Sequence, residues 1–109
     1  MILECKVPPS LNCPVLYMLF GHLSKASVSY AKSLEEIHPG DLIGWLGGSH
    51  ENGGWNSHLH WQLSWGRPSE IDLPGAVSEN NREMAKLFFP DPTPLLKVAI
   101  GGWSTRNEI

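Results

Sequence analysis

The stretch HENGGWNSHLHWQLSW, residues 50 to 65, concentrates the side chains of this sequence that are able to do chemistry. It holds three histidines, two glycines and three tryptophans, with a single leucine between His58 and His60. In an extended strand, residues two apart share a face. Reading from His58, one face carries His58, His60, Gln62 and Ser64, and the other carries Leu59, Trp61, Leu63 and Trp65. That unbroken alternation predicts a half-buried strand over 58–65. The apolar face belongs to a core, with Trp61 and Trp65 in it. The polar face presents two imidazoles side by side, which folding alone does not require. Imidazoles so placed bind metals or move protons.

A catalytic zinc takes about three protein ligands, accepts His and carboxylate, and leaves one position open for water. Of the five histidines, His38 precedes Pro39 in a turn and reads as a surface residue, and His50 opens the glycine-rich loop and orders it. His22, His58 and His60 are the candidates, each expected at a strand end or on the polar face of a strand. Gln62 shares that face and is placed to orient an imidazole through a hydrogen bond. Counting removes several alternatives. His50 has no His four residues on, so the helical zincin motif fails. The positions four and five after His60 are Ser64 and Trp65, so the cupin glutamate is missing. There is no Cys-x-x-Cys and no Gly-x-Ser-x-Gly.

The elements that must position these side chains read mostly as strands. MILECKV predicts a strand, PPSLN a turn and PVLYMLFGHL a second strand, together a β-hairpin with a longer loop that leaves His22 at a strand end. Val28, Ala31, Leu34 and Ile37 predict one or two helical turns within 24–37. Pro39-Gly40 marks a turn, and DLIGWLG predicts a short strand that ends at Gly47-Gly48. Its interior glycines, Gly44 and Gly47, imply close backbone approach or a bend in a small barrel or sandwich. SENNREMAKLFF predicts a helix with Ser78 as N-cap and with Met84, Leu87 and Phe88 on one face; PDPTP stops it. LLKVAI reads as a last strand and GGWSTRNEI as a loose tail, giving one β domain over 1–100 and a tail over 101–109.

Composition bounds the rest. At 109 residues the chain supplies one small domain, 41% hydrophobic and 17% charged, with a formal charge of −3. This is globular, with no basic patch for nucleic acid and no apolar run approaching the roughly 20 residues of a membrane span. Glu4, Lys6, Pro8 and Pro9 interrupt any signal-like stretch at the start. Without an oxidising compartment implied, Cys5 and Cys13 read as free thiols.

Three ordered blocks, LFGHLS, HPGDLIGWLG and HLHWQLS, resemble the second half of the lysostaphin-type zinc endopeptidases, the M-twenty-three peptidase family, over about residues 15 to 65. GHLS, IGWLGGSHENGGWNSHLHWQL and PDPTPLL are similar to versions embedded in large hybrid proteins, between a kinase-like phosphotransferase domain and an aminotransferase-like domain. The resemblance implies a mainly β fold, part of a small antiparallel β-sandwich or barrel, with one short C-terminal helix. It implies zinc as cofactor and peptides, including peptidoglycan cross-bridges, as substrates. It maps a zinc ligand to His60, the catalytic base or hydrogen-bond donor to His58, and the oxyanion-stabilising or proton-moving imidazole to His22. Trp55 and Asn52 are the candidates for substrate contact in the loop. For location it implies the cell envelope for a wall hydrolase and the cytoplasm for a hybrid-protein domain.

The sequence departs from the family at the other two zinc ligands, which a His-x-x-x-Asp block supplies before the GHL strand. Four residues after each histidine stand Ala26, Leu42, Gly54, Gln62 and Ser64, none of them Asp. The resemblance therefore implies that this chain begins part-way through the domain, that Met1 is an internal start or a truncation point, that the missing N-terminal part of the same domain is its natural partner, and that alone it is a weak metal binder and inactive as a peptidase. Two other readings stand beside it. One is a non-catalytic binding or assembly module of a larger hybrid protein, with a groove lined by Trp55, Trp61 and the glycine loop. The other is a small three-histidine metal protein of unrelated fold.

Overall fold

The computed structural model describes residues 1–6, 15–70 and 72–99. In them the chain forms β1 (Ile2–Lys6), β2 (Val15–Gly21), α1 (Lys25–Ala31), β3 (His60–Ser64), a 3-10 turn (Glu79–Asn81), α2 (Arg82–Phe88) and α3 (Thr93–Ala99). The three strands make one antiparallel sheet in the order β1-β2-β3. The described part is thus a small mixed α/β fold rather than a mainly β one.

β2 is central because VLYMLF joins β-branched, aromatic and aliphatic residues without a breaker. The register sets Leu19 opposite Ile2 on one side and Gln62 on the other, and Phe20 opposite Trp61. Directly opposed residues share a face. One face therefore carries Leu3, Cys5, Leu16, Met18, Phe20, Trp61 and Leu63, with Phe20 and Trp61 stacked at 6.4 Å between ring centroids. The other carries Ile2, Glu4, Tyr17, Leu19, Gly21, His60, Gln62 and Ser64. Leu16, Leu19 and Leu63 are the buried apolar side chains of this sheet. Trp61 and Trp65 are only half-buried, and Trp45 is 48% exposed against the edge of Tyr30. Cys5 is a free thiol whose burial pushes its pKa up, while Cys13 lies outside the described residues.

Several expectations are corrected. β3 begins at His60, so His58 and Leu59 precede the strand. The DLIGWLG segment is no strand: it meets the sheet's end only through an isolated Leu23–Leu46 bridge. Its glycines serve close approach, one of the two roles expected of them. A Cβ at Gly44 would lie 2.7 Å from Ser27 Oγ, and one at Gly47 would lie 3.0 Å from the His22 carbonyl oxygen. The single C-terminal helix is two, since the segment read as a last strand forms α3. Ser78 stands at the N-cap position of the 3-10 turn, without a side-chain capping bond. Met84, Leu87 and Phe88 share α2 but are exposed, so that face covers no core. The helical turns expected in 24–37 are α1, capped by the Ser24 hydroxyl, which accepts from Ser27 N–H. The PPSLN turn and the tail lie outside the described residues.

Candidate functional site

β2 ends at Gly21 because the chain must turn there, and His22 takes φ +60°, the left-handed region that a side chain rarely adopts. The turn is held by Gly47, whose N–H donates to the His22 carbonyl at 2.8 Å, and by Ser24 N–H, which donates to the Trp45 carbonyl at 2.9 Å. The LFGHLS and DLIGWLG blocks therefore lie against one another. Beside them, β3 brings His60 directly opposite Gly21. The missing side chain at Gly21 is what leaves room for the imidazole, since a Cβ there would sit 3.2 Å from His60 Cβ.

The three candidate histidines converge. The His22 ring lies 4.5 Å from that of His58 and 5.7 Å from that of His60, centroid to centroid, tilted by 41° to each. His22 and His60 are half-buried and His58 is exposed. Their hydrogen bonds define which nitrogens are free. His58 Nδ1 is 2.6 Å from the Asn56 carbonyl, which only accepts, so Nδ1 carries the proton and Nε2 holds the lone pair of the neutral ring. Gln62 Nε2 donates to the Pro74 carbonyl at 3.2 Å, which turns its Oε1 toward His60 Nε2 at 3.3 Å. His60 Nε2 therefore donates, and Nδ1 is left bare. The His22 ring makes no hydrogen bond among the described residues.

The glycine loop is braced from inside. Asn52 is 6% exposed; its Oδ1 accepts from Trp55 N–H at 3.0 Å and its Nδ2 donates to the Asn56 carbonyl at 3.3 Å. Ser57 Oγ ties the same loop to the Gly47 carbonyl at 2.9 Å. Both polar ends of Asn52 are thus occupied within the loop, whereas Trp55 stands 67% exposed. Glu51 anchors the loop to α1 by accepting from Lys25 N–H at 3.0 Å, and this bond, above all, holds its carboxyl below the ordinary glutamate range. His38 sits exposed in its turn near Glu36 and Asp41, and His50 is exposed beside Glu51.

Convergence does not make a closed metal site. Among the described residues no group of three His, Cys, Asp or Glu side chains is disposed to hold a metal ion. No helix among them is long and apolar enough to cross a membrane. Sequence reasoning found the three imidazoles but missed the Asn56 carbonyl, which as a main-chain atom leaves no mark in the sequence. No protein-family model, curated protein or solved structure matches the chain.

Proposed function

We infer that this chain carries the C-terminal half of a zinc-dependent endopeptidase domain of the lysostaphin type, with β1–β3 as part of a small antiparallel β-sandwich or barrel. The observation that carries the reading is the convergence of His22 with His58 and His60 at 4.5 and 5.7 Å. These imidazoles come from the two blocks that the family pattern assigns to catalysis and ligation. The residues fit zinc in kind, since imidazole is among its preferred donors, and fall short of it in number.

His60 would hold the metal through Nδ1, the nitrogen that Gln62 leaves bare. When bound, zinc lowers the pKa of a coordinated water toward about 7 and polarises a scissile carbonyl. His58 takes up a proton at Nε2, because its Nδ1 already donates to Asn56. His22, with no competing ring bond among the described residues, donates an N–H to the negative charge developing on the peptide carbonyl. Trp55 offers an exposed aromatic face to a peptide or cross-bridge substrate. No His-x-x-x-Asp block stands in the sequence to supply the remaining ligands, so the chain alone binds zinc weakly and does not cleave peptides.

Zinc titration of the purified chain by calorimetry, with His60→Ala beside it, tests this. Weak binding that vanishes in the variant, with no peptide cleavage, is the expected result. Chelator-sensitive cleavage by the chain alone would overturn its inactivity. Tight one-to-one binding that also vanishes in His22→Ala would overturn the division into one ligand and two catalytic groups, and favour the three-histidine site.

A second reading, a non-catalytic assembly module, is favoured by one observation. Trp61 Nε1 is buried on the apolar face with no hydrogen-bond partner among the described residues, an arrangement that costs about 1–3 kcal/mol until an acceptor covers it. A chain that binds no zinc at all and associates through this face would support it over the peptidase.

A further inference from the structure

The Asn56 carbonyl accepts two hydrogen bonds, one from Asn52 Nδ2 at 3.3 Å and one from His58 Nδ1 at 2.6 Å. Asn52 is buried, and its other amide end receives Trp55 N–H, so its side chain cannot rotate without breaking two bonds. It holds the carbonyl at a fixed height above the turn. Gly53 and Gly54, at φ +90° and +93°, let the chain wrap tightly around it. Because a carbonyl oxygen only accepts, its position decides which His58 nitrogen carries the proton.

We propose that Asn52 is a positioning residue for His58: through the Asn56 carbonyl it locks the imidazole in its Nδ1–H form and keeps Nε2 free as the proton acceptor of the site. This deepens the peptidase reading, on which the use of the Nε2 lone pair rests, but the lock belongs to the loop and requires neither metal nor substrate. The unconstrained histidine side chain in water prefers the opposite, Nε2–H form, so the brace works against an intrinsic preference. Fixing the tautomer through a partner at the other ring nitrogen is the usual means of preparing a catalytic or ligating histidine.

The test is imidazole nitrogen NMR of the metal-free chain at a pH where the rings are neutral, with His58 identified by its loss in His58→Ala. The wild-type ring is expected as Nδ1–H. In Asn52→Ala the Nδ1–H to Nε2–H ratio falls about fivefold, the weight of one ordinary hydrogen bond. Ser57→Ala, which removes the tie to Gly47 but leaves the Asn56 carbonyl untouched, keeps the wild-type ratio. Should Asn52→Ala fail to fold, Asn52→Asp retains the acceptor for Trp55 N–H and turns a carboxylate oxygen in place of the donor toward the Asn56 carbonyl, and the ratio is expected to fall at least as far. An unchanged ratio in the Asn52 variant that folds, or an equal fall in Ser57→Ala, overturns the proposal. A chain that binds no zinc at all while the ratio behaves as expected would count against the peptidase reading alone.

Discussion

Gly21 and His60 face each other across the β2–β3 ladder, and the absent side chain of the first is the space in which the second lies. A Cβ at Gly21 would press on His60 Cβ at 3.2 Å, at the root of the side chain where no rotamer change relieves it. Gly21→Ala is therefore expected to lower stability by about 1 kcal/mol, the low end of overpacking, and to shift His60 against His22. The urea midpoint gives the first quantity and the His60 ring resonances the second. A variant with the wild-type midpoint and unmoved resonances would show that the strands part at this point without cost.

Ser27, completely buried, is the polar centre of the second contact. Its hydroxyl donates to the Trp45 carbonyl at 2.9 Å and accepts from Trp45 N–H at 2.6 Å, so it stands in for a strand partner along the 44–47 segment. Ser27→Ala leaves the Trp45 N–H unpaired and takes from its carbonyl one of two bonds, the other coming from Ser24 N–H, and is expected to cost about 2 kcal/mol. Gly44→Ala is expected to be at least as damaging, because the added Cβ meets Ser27 Oγ at 2.7 Å and Cβ at 2.8 Å. Combining the two does not restore stability, since the Cβ clash survives. Thermal melts of the two single variants and the double decide it.

The Glu51 carboxylate ties the glycine loop to the first residue of α1 by accepting from Lys25 N–H. Its pKa is lowered in the fold, so the carboxylate form is the stabilising one. That contribution is complete above the ordinary glutamate range and is lost as pH falls through the lowered folded value. Glu51→Gln is expected to speed hydrogen exchange at the Lys25 amide at neutral pH and to remove the pH dependence of its protection below the ordinary glutamate range. Equal protection in both proteins at neutral pH would show that the carboxylate is not the anchor.

What was legible in the sequence follows from how far each signal is local. The alternation in β2 and β3 depends on residues two apart, and the hairpin and the His60–Gln62–Ser64 face emerge from it directly. The 41–48 segment misled because its glycines break that pattern for the sake of Ser27 and His22, partners far away in sequence. The LLKVAI run is too short for periodicity to separate strand from helix. Its true signal lay just before it: the Asp91 carboxylate accepts from Thr93 N–H at 2.9 Å and opens α3, and the Thr93 hydroxyl first, then this bond, holds its pKa below the ordinary range. The three histidines were legible as types and spacings. The tautomers that Asn56 and Gln62 impose on His58 and His60 were not, because each depends on a backbone carbonyl.

His22 is the one described residue other than glycine with positive φ, and the strain sits on a side chain proposed for catalysis. A left-handed conformation costs a residue with a Cβ about 1 kcal/mol relative to glycine. His22→Gly and His22→Ala both remove the imidazole, but only the glycine variant also releases the backbone. The glycine variant is therefore expected to be the more stable of the two by about 1 kcal/mol, less the entropy that glycine gains in the unfolded chain. Denaturant unfolding of both, side by side, measures the difference. Equal stabilities would mean that the release and the entropy cancel, and a third variant, His22→Asn, separates them: asparagine tolerates this region without glycine's freedom when unfolded, so it must exceed the alanine variant if the strain is held in solution.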